Sequence, residues 1–512
     1  MVATALALHT DDMTGDELGT TAVGPCDVIL SIERRVTMNR IGSNSVVPVC
    51  ALLVALPLAG MPLVAGPMNG TRHTVIAASG TAAPAGGNYT TFMHVTVNEW
   101  SQIAFDASLG GPSTSGVFVG DGTRTSMIAL GGDPNPAAAN FAFVGNSFFT
   151  ADGGVVFDAN FTDTFRYDGR VTIPLVQNGD PAPGGGTVTP LSRVTNGRGT
   201  IAYQASVIGG TATQGIFRTD GANTVVIASD AGAAPTGGTF TSLFTPAMNN
   251  RGQVAFETEM TGGPAEFAIV RGDGITLTPV FVADQIAPGG ATFQDFGDPL
   301  INKQGQVVAV ASLVNGASGA GLFIGDGANA VAIALDGQPA PKGGSYSASF
   351  DKPLTTNDRG EVAFSARLRG GTSPRGIFRW NAGETTTLAL AGTIAPGTTG
   401  TFASFGDMKL GNDGRVAFIG TLVPGVGGVD FSNNMGIWVG TSDADLQLVV
   451  RTGEVIDGKV LMRLPSGLGQ FDMNDDAIVW IGTFPSRSTA VVFSRTRSES
   501  EDTQDRDSHH QR

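Results

Sequence analysis

Four aspartates occur at similar positions in a recurring aromatic segment and could together bind a cation. They are Asp298 in FGDP, Asp351 in FDKP, Asp407 in FGDM and Asp472 in FDMN. Carboxylate oxygens are the ligands that Ca²⁺ prefers, and the ion takes several of them. The alternative is that each carboxylate accepts hydrogen bonds from backbone N–H groups at a strand entrance. The aspartates therefore define a candidate calcium site, and no other cofactor is predicted.

Two loops with unusual polar residues are candidate ligand-binding segments. The stretch RLRGGTSPR brings three arginines into an acidic chain, and guanidinium groups can pair with the oxygens of an anionic group. The alternative is that these arginines are simply solvated. The stretch VPGVGGVDFSNNM is the second such loop. The candidate binding residues of the two loops are Arg367, Arg369, Arg375, Asp430, Asn433 and Asn434.

Nucleophilic and zinc chemistry find little support in the sequence. Both cysteines, Cys26 and Cys50, precede the repeated region, and only His73 and His94 lie at its beginning. A Ser–His–Asp triad needs a positioned histidine, and zinc sites are built mainly from His and Cys. Two carboxylates could support glycoside hydrolysis, but no pair is related by a telling spacing. We therefore assign no catalytic residue.

A motif of the form N-x-x-G-x-V-A-F supplies the framework for these residues. It recurs about every 53 residues, and a period of this length indicates an array of one supersecondary unit. Eight copies are visible, of which four are weak. The clear copies cover residues 98–105, 196–203, 249–256 and 357–364, and the weak ones cover 150–157, 302–309, 411–418 and 474–481.

Each repeat is predicted to contain four short strands. An aromatic strand comes first, the V-A-F strand second, a G-I-F strand third and an apolar V-I-A strand fourth. The Asn and Gly of the motif suit the turn between strands one and two, since Asn can bond to its own turn and Gly accepts a left-handed backbone. Asp-Gly pairs suit the turn between strands three and four. A four-stranded antiparallel meander of this size is one blade of a β-propeller.

The two ends of the array predict how the ring closes. The eighth repeat stops after its third strand at residues 490–493, whereas residues 72–78 match a fourth strand without the first three. The N-terminal strand can therefore complete the last blade and leave no open edge. We predict an all-β, eight-bladed β-propeller closed by the N-terminal strand, with seven blades as the alternative.

Composition limits the function classes. The chain has 512 residues, 73 glycines and a formal net charge of −15. An acidic protein lacks the basic face that neutralises phosphates, so a nucleic-acid partner is not expected. A possible partner class is a glycan or a protein of the cell envelope.

The ends of the chain predict export. Arg34, Arg35 and Arg40 precede the apolar run that begins at Val46, which is typical of a secretory signal peptide. A transmembrane anchor is the alternative, but prolines and a glycine interrupt the run, so no stable anchor is expected. We divide the chain into a leader or misassigned start (1–37), a signal peptide (38–66), a repeat domain (70–496) and a polar, disordered tail (497–512).

The repeated N-x-x-G-x-x-A-F motif resembles that of bacterial "choice-of-anchor" tandem-repeat proteins, a group of exported proteins. The resemblance covers roughly residues 72–495. It implies a location outside the cytoplasm, at the cell surface, in the periplasm or in the medium. Relatives often end in an anchoring segment, whereas the tail here is hydrophilic, which favours a released protein. The resemblance implies no activity.

Binding is therefore the favoured function. Function in repeat folds concentrates in the loops that differ between copies. We predict a non-catalytic, exported propeller that binds an extracellular glycan, an envelope polymer or a protein through these loops. The alternative is an extracellular polysaccharide hydrolase or lyase that uses carboxylates in the central channel.

Overall fold

The computed structural model describes residues 71–84, 86–136, 140–350, 353–465, 467 and 469–496. The chain divides into two units, Met1–Pro62 and Leu63–Arg512. The first unit lies outside the described residues, as do the predicted leader, the signal peptide and the tail. All the strands that the structure describes lie in the second unit.

The strands form eight antiparallel sheets that follow the chain in order. The first four blades are β2 to β5 (Asn88–Val97, Ile103–Gly110, Ser115–Gly120, Thr125–Leu130), β6 to β9 (Val144–Phe149, Val155–Ala159, Asp163–Tyr167, Thr172–Val176), β10 to β13 (Thr187–Thr195, Ile201–Ile208, Gln214–Thr219, Thr224–Ser229) and β14 to β18 (Thr239–Leu243, Ala247–Met248, Val254–Thr261, Phe267–Gly272, Leu277–Val282). In blade 4, β14 and β15 are two halves of one innermost strand.

Blades 5 to 8 repeat this order. Their strands are β19 to β23 (Thr292–Phe296, Leu300–Ile301, Val307–Val314, Ala320–Gly325, Ala330–Leu335), β24 to β28 (Ser345–Tyr346, Leu354–Thr356, Val362–Arg369, Arg375–Asn381, Glu384–Leu390), β29 to β32 (Phe402–Leu410, Val416–Leu422, Met435–Gly440, Gln447–Arg451), and β35 to β37 (Phe471–Met473, Ala477–Thr483, Thr489–Arg495) together with β1 (His73–Ala78). A small hairpin, β33 and β34 (Val455–Ile456 and Lys459–Val460), precedes blade 8, and a 3₁₀ turn, Pro485–Arg487, lies within it.

The first strand of the ring completes its last blade. Strand β1 pairs antiparallel with β37, with His73 opposite Ser494 and Ala78 opposite Ala490. The molecule is thus an eight-bladed β-propeller in which the N-terminal strand closes the ring. The eight-blade prediction is confirmed, and the seven-blade alternative is wrong.

The V-A-F residues of the motif are buried, and their side chains pack on both faces of the blade. In blade 4, Val254, Ala255 and Phe256 are fully buried. Successive side chains of a strand point to opposite faces. Val254 and Phe256 accordingly pack in a cluster with blade 3, whereas Ala255 packs with Phe293 of blade 5. The motif therefore joins neighbouring blades as well as strands of one blade.

Blade 8 departs from the other copies by one residue. Its turn is one residue shorter and lacks the glycine of the motif. The N–H groups of Asp476 and Ala477 both donate to the Asn474 side chain. Trp480, rather than Ile481, takes the aromatic position and is fully buried. The short turn explains why the sequence alignment of this copy looks weak.

The asparagine of the motif also links one blade to the next. Within its own turn, the Asn249 Oδ1 atom accepts the N–H groups of Arg251 and Gln253 at 3.0 Å each. Its Nδ2 atom donates to the backbone carbonyl of Asn302 in blade 5, at 2.8 Å. Equivalent bonds join blades 3 and 4, 6 and 7, and 8 and 1; the donors are Asn196, Asn357 and Asn474.

The glycine of the motif has two structural roles. Gly252 has a φ of +79°, which an L side chain adopts only with strain. In addition, a Cβ atom at Gly252 would lie 2.9 Å from a guanidinium nitrogen of Arg218 in blade 3. That guanidinium donates to the Gly252 carbonyl, and Arg271 of blade 4 does the same to Gly305 of blade 5. The glycine therefore permits the turn and leaves room for an arginine from the preceding blade.

The innermost strands are interrupted where they would line the central channel. In blades 1, 2 and 7 the register shifts by one residue, between Phe92 and Val95, Gly145 and Phe148, and Phe405 and Met408. In blades 4, 5 and 6 the strand splits into two parts at the same place. Such bulges redirect side chains and often lie next to functional sites. Two of the four predicted calcium ligands, Asp298 and Asp407, fall in these interruptions.

Candidate functional site

The two ends of the ring carry different surfaces. We call the end that contains the motif turns and the turns between strands three and four the turn face. The opposite end, formed by the loops between strands two and three and by the loops between blades, is the loop face. Among the described residues, six large apolar side chains are more than 60% exposed. Ile275 lies on the turn face, and the other five lie on the loop face: Phe161, Ile208, Ile286, Ile394 and Phe431.

Phe161 is the most unusual of these residues. It is 81% exposed, and its φ of +69° lies in the left-handed region. A bulky side chain is rarely found there, because its Cβ atom crowds the backbone. Its ring stacks on that of Phe143, with centroids 5.7 Å apart and planes at 5°. The loop between β7 and β8 thus holds an exposed aromatic ring at a backbone position that favours glycine.

The three predicted arginines lie near one another on the loop face but differ in their contacts. Arg367 and Arg375 are direct cross-strand neighbours on β26 and β27. Arg369, two residues further along, forms a 2.9 Å ion pair with Asp336 of blade 5. Its side chain nevertheless stays 57% exposed, so the charge remains accessible from solvent.

The second predicted loop uses its polar groups largely for its own structure. The Asp430 carboxylate accepts the N–H and the hydroxyl of Ser432 at 2.7 and 2.6 Å. The Asn433 side chain accepts the Asp430 N–H at 2.9 Å and is also held by Arg451. The backbone carbonyl of Asn434 accepts the N–H of Leu422. The loop is thereby fixed, and it presents the Phe431 ring, which is 84% exposed, to solvent.

The predicted calcium ligands are found in separate environments. Asp407 accepts the N–H of Met408 at 2.9 Å. Asp472 accepts the Thr96 hydroxyl at 2.8 Å and lies 3.7 Å from the Lys409 ammonium group. Asp298 lies near Glu257, and Asp351 lies outside the described residues. Within the described part of the chain, no three His, Cys, Asp or Glu side chains are arranged to hold a metal ion. The four-aspartate site stays a prediction.

The Asp-Gly turns match the predicted turn chemistry. In each turn the aspartate accepts the backbone N–H groups two and three residues further on, as Asp273 does from Ile275 and Thr276, at 2.8 Å each. These hydrogen bonds hold the pKa of the Asp273 carboxyl below its usual range. Hydrogen bonds to the backbone therefore explain why aspartate occupies this position of the turns.

The residue that follows the motif's aromatic belongs to a further series of site residues, which the sequence predictions did not include. In blades 1 to 4 this residue is polar, and it points toward the bulged innermost strand of the next blade. Asp106 accepts the Ser147 hydroxyl at 2.6 Å, Asp158 pairs with Arg193, and Gln204 donates to the Leu243 carbonyl. The fourth member is Glu257. Aligning the repeats one position beyond V-A-F would have revealed this series.

Two of these acids have unusual protonation behaviour. Burial raises the pKa of the Asp106 carboxyl to about 7, although its hydrogen bonds to Ser147 oppose the shift. Glu257 is half-buried, and this burial, followed by the charges of Asp295 and Asp298, raises its pKa to about 7. Acids with pKa values near neutrality can exchange protons under physiological conditions, a property common in active sites.

His94 lies in the bulge of blade 1. Burial lowers the pKa of its imidazole to about 4, so the ring is neutral near pH 7. Its ring packs edge-on against Phe148 of blade 2, with centroids 4.8 Å apart. Its Nδ1 atom is buried and has no hydrogen-bond partner within the described part of the chain. The histidine is thus packed among its neighbours.

Among the described residues, no helix is both long and apolar enough to cross a membrane.

Comparison with solved structures finds proteins at low similarity. A puromycin-hydrolyzing peptidase of Mycobacterium tuberculosis is 13% identical, with a TM-score of 0.40; the match covers 81% of this chain and 63% of the peptidase. The β-propeller domain of the Trilobed protease from Pyrococcus furiosus is 10% identical, with a TM-score of 0.38 and coverage of 71% and 98%. The polysaccharide lyase Uly1 is 9% identical, with a TM-score of 0.31 and coverage of 83% and 99%. Similarities of this size say nothing about activity.

No curated protein matches the chain. A family model described as "Family of unknown function (DUF7453)" matches residues 165–459, which is more than half of the sequence. The match extends from blade 2 to the hairpin that precedes blade 8. The chain therefore belongs to this family of unknown function, DUF7453.

Proposed function

We propose that the protein is an exported, non-catalytic propeller that binds a glycan or another envelope polymer through its loop face. The observation that carries this proposal is Phe161, an exposed aromatic ring at a strained backbone position. Strain of this kind is retained where the surrounding structure supports it, and it clusters at functional sites. A flat aromatic surface suits the apolar face of a sugar ring, and Phe143 extends that surface below Phe161.

Other residues of the loop face support the same role. Phe431 adds a second exposed ring in blade 7. Arg367 and Arg369 add positive charge in blade 6, which would attract an acidic sugar. The exposed apolar side chains on this end of the ring are available for contact with a ligand.

Binding is tested with purified protein on an array of bacterial polysaccharides and defined glycans. We expect the wild type to bind a limited set and Phe161→Ser to bind that set at least about tenfold more weakly, because an aromatic anchor contributes about 1.4 kcal/mol or more. Trp100→Ser is the matched control, since Trp100 is an aromatic residue that is 59% exposed on the turn face.

Three results would count against a glycan ligand. One is a blank array for the wild type in the presence of calcium. Another is unchanged binding by Phe161→Ser, and a third is an equal loss in Trp100→Ser. If a protein binds the wild type but not Phe161→Ser, the ligand is a protein rather than a glycan. The loop face then remains the binding surface.

Export is supported by the basic and apolar segments near the N-terminus, and by the resemblance to exported tandem-repeat proteins. Cell fractionation tests it. The protein should be found outside the cytoplasm, with a mass that shows removal of the residues before about position 66. A full-length protein confined to the cytoplasm would contradict export.

Glu257 gives a specific reason to keep the second function, a polysaccharide hydrolase or lyase. A carboxylic acid with a pKa near 7 can donate a proton, and a second carboxyl group, that of Asp298, lies close enough to contribute to that raised pKa. The bulge that carries Asp298 lies on the innermost strand of blade 5, beside the channel.

Incubation with polysaccharides, followed by measurement of new reducing ends and of unsaturated products, tests this function. Glu257→Gln should abolish turnover without lowering the melting temperature. Glu266→Gln, an exposed acid on the loop between β16 and β17, is the control and should keep full activity. If the wild type degrades no polysaccharide, the enzymatic function is rejected.

A further inference from the structure

A polar cleft of about 290 Å³ lies on the turn face between blades 3 and 4. Three arginines line it: Arg198, Arg218 and Arg251. The one acid among the lining residues is Asp220, whose carboxylate accepts the backbone N–H groups of Ala222 and Asn223. The cleft thus has an excess of positive charge in a chain whose formal net charge is −15.

The repeat explains how the arginines come together. Arg198 and Arg251 occupy the third position of the motif in adjacent blades, at the tips of neighbouring turns. Their side chains are exposed and make no ion pair within the described part of the chain. The turns are fixed to each other, because the Gly197 N–H donates to the Asn250 side chain at 2.7 Å. The spacing between the two arginines is therefore set by the scaffold.

Arg218 forms the inner wall of the cleft. It extends from β12 in blade 3 and donates to the Gly252 carbonyl of blade 4. That contact involves one nitrogen of the guanidinium group, which has five N–H bonds in total. The remaining donors are held in place by the first contact, which reduces the entropy lost when a ligand binds.

The equivalent arginines of blades 2 and 6 are neutralised, whereas Arg271 of blade 4 makes the same carbonyl contact as Arg218. In blade 2, Arg166 pairs with Asp152 of its own motif. In blade 6, Arg379 pairs with Glu361 at 2.7 Å, and the side-chain exposures of the two are 16% and 5%. At the boundary between blades 3 and 4, two further arginines stand at the motif turns instead of a paired acid. This difference distinguishes the cleft from the ordinary contact between blades.

We infer that this cleft is a binding site for a tetrahedral oxyanion, the sulfate or phosphate group of a larger ligand. Three guanidinium groups offer more donors than the two oxygens of a carboxylate can accept, whereas a sulfate or phosphate group presents three or more oxygens. The volume also leaves room for part of the ring or chain that carries the group. The site lies on the end of the ring opposite Phe161 and is independent of the loop face.

The test is calorimetric titration of the purified protein with inorganic sulfate and, separately, with inorganic phosphate at constant ionic strength. We expect saturable binding of at least one of the two anions. Arg198→Gln and Arg251→Gln should each weaken binding about tenfold, because each removes a charge-assisted hydrogen bond. Both residues are exposed, so neither variant should lower the melting temperature.

Arg359→Gln is the matched control. Arg359 is exposed and stands at the third motif position of blade 6. Its replacement by glutamine changes the net charge by the same amount as Arg198→Gln or Arg251→Gln. The affinity of this variant for the anion should stay within about twofold of the wild-type affinity. Arg359 does not line the cleft, and salt screens the effect of a charge lost elsewhere on the surface. Preference for sulfate would indicate a sulfate ester, and preference for phosphate a phosphate ester; either supports the site. No saturable binding, or an equal loss in Arg359→Gln, would overturn it.

Discussion

At the turn face, the asparagine of the motif makes the same contact with the following blade in blades 3, 4, 6 and 8, whereas at the inner edge the residue after the aromatic differs between blades. Asn196, Asn249 and Asn357 each donate to a backbone carbonyl of the following blade. At the inner edge, by contrast, Asp106 bonds to a serine, whereas Glu257 faces other acids. Both regions have the same backbone plan, and only the second varies in chemistry.

This difference separates scaffold from candidate function. A side chain that makes the same bond at several blade boundaries is explained by the ring itself. A position with the same backbone but changing side chains is free to serve other purposes. Phe161, Glu257 and the arginine cleft are all departures of the second kind.

The largest expected effect is the loss of one turn-face asparagine. Asn249→Ala removes the hydrogen bonds to two N–H groups of its own turn and the hydrogen bond to the Asn302 carbonyl. The Asn249 side chain that makes these bonds is buried. We expect a loss of about 3 kcal/mol in the free energy of unfolding, since buried polar groups are left without partners. Urea denaturation measures it. Asn88→Ala, at an exposed strand position, is the control, and an equal loss there would remove the special role of the motif.

The next largest effect depends on pH and comes from the inner edge. Because burial raises the pKa of Asp106 to about 7, the folded protein retains a proton between about pH 4 and 7 that the unfolded chain releases. The stability that this proton contributes is complete below about pH 4 and is lost as the pH rises through about 7.

Asp106→Asn cannot ionise and keeps an oxygen that accepts the Ser147 hydroxyl. It should therefore be about 2 kcal/mol more stable than the wild type at pH 8, and the difference should shrink toward pH 4.5. Thermal unfolding of both proteins across this range measures it. A difference that does not change with pH would show that Asp106 is ionised in the folded state.

The smallest effect separates the two roles of the motif glycine. Gly252 and Gly184 both have positive φ angles, +79° and +94°. A Cβ atom at Gly252 would meet Arg218, whereas one at Gly184 would have nothing within 4 Å. Both alanine variants should lose stability from backbone strain, and Gly252→Ala should lose about 1 kcal/mol more because Arg218 must move. Equal losses in denaturation experiments would mean that the arginine contact contributes nothing.

The fold could be predicted because its signals are local and repeated. Turn residues at fixed offsets and alternating apolar strands identify each hairpin, and the missing and surplus strands at the two ends identify the closure through β1. The Asn249 side chain was assigned to its own turn, which is correct but incomplete. Its bond to Asn302 depends on how two blades are oriented, and no pattern within one repeat contains that information.

The candidate site was harder to predict for the same reason. Asp430 and Asn433 looked free in the sequence, yet Ser432 and Arg451 take up much of their hydrogen-bonding capacity. Phe161 was missed because a phenylalanine in a loop gives no sign of its backbone angle. Glu257 was missed because its shifted pKa comes first from burial and then from acids of the neighbouring blade, which the sequence separates from it by tens of residues.

The measurement that most directly tests the account is the paired stability and glycan binding of Phe161→Gly. Glycine removes the ring and at the same time relieves the left-handed strain at φ +69°. If the ring is retained for binding, the variant should melt no lower than the wild type and lose binding on the polysaccharide array. A variant that melts lower and still binds the same glycans would show that Phe161 serves the scaffold, and would contradict the loop face as the binding surface.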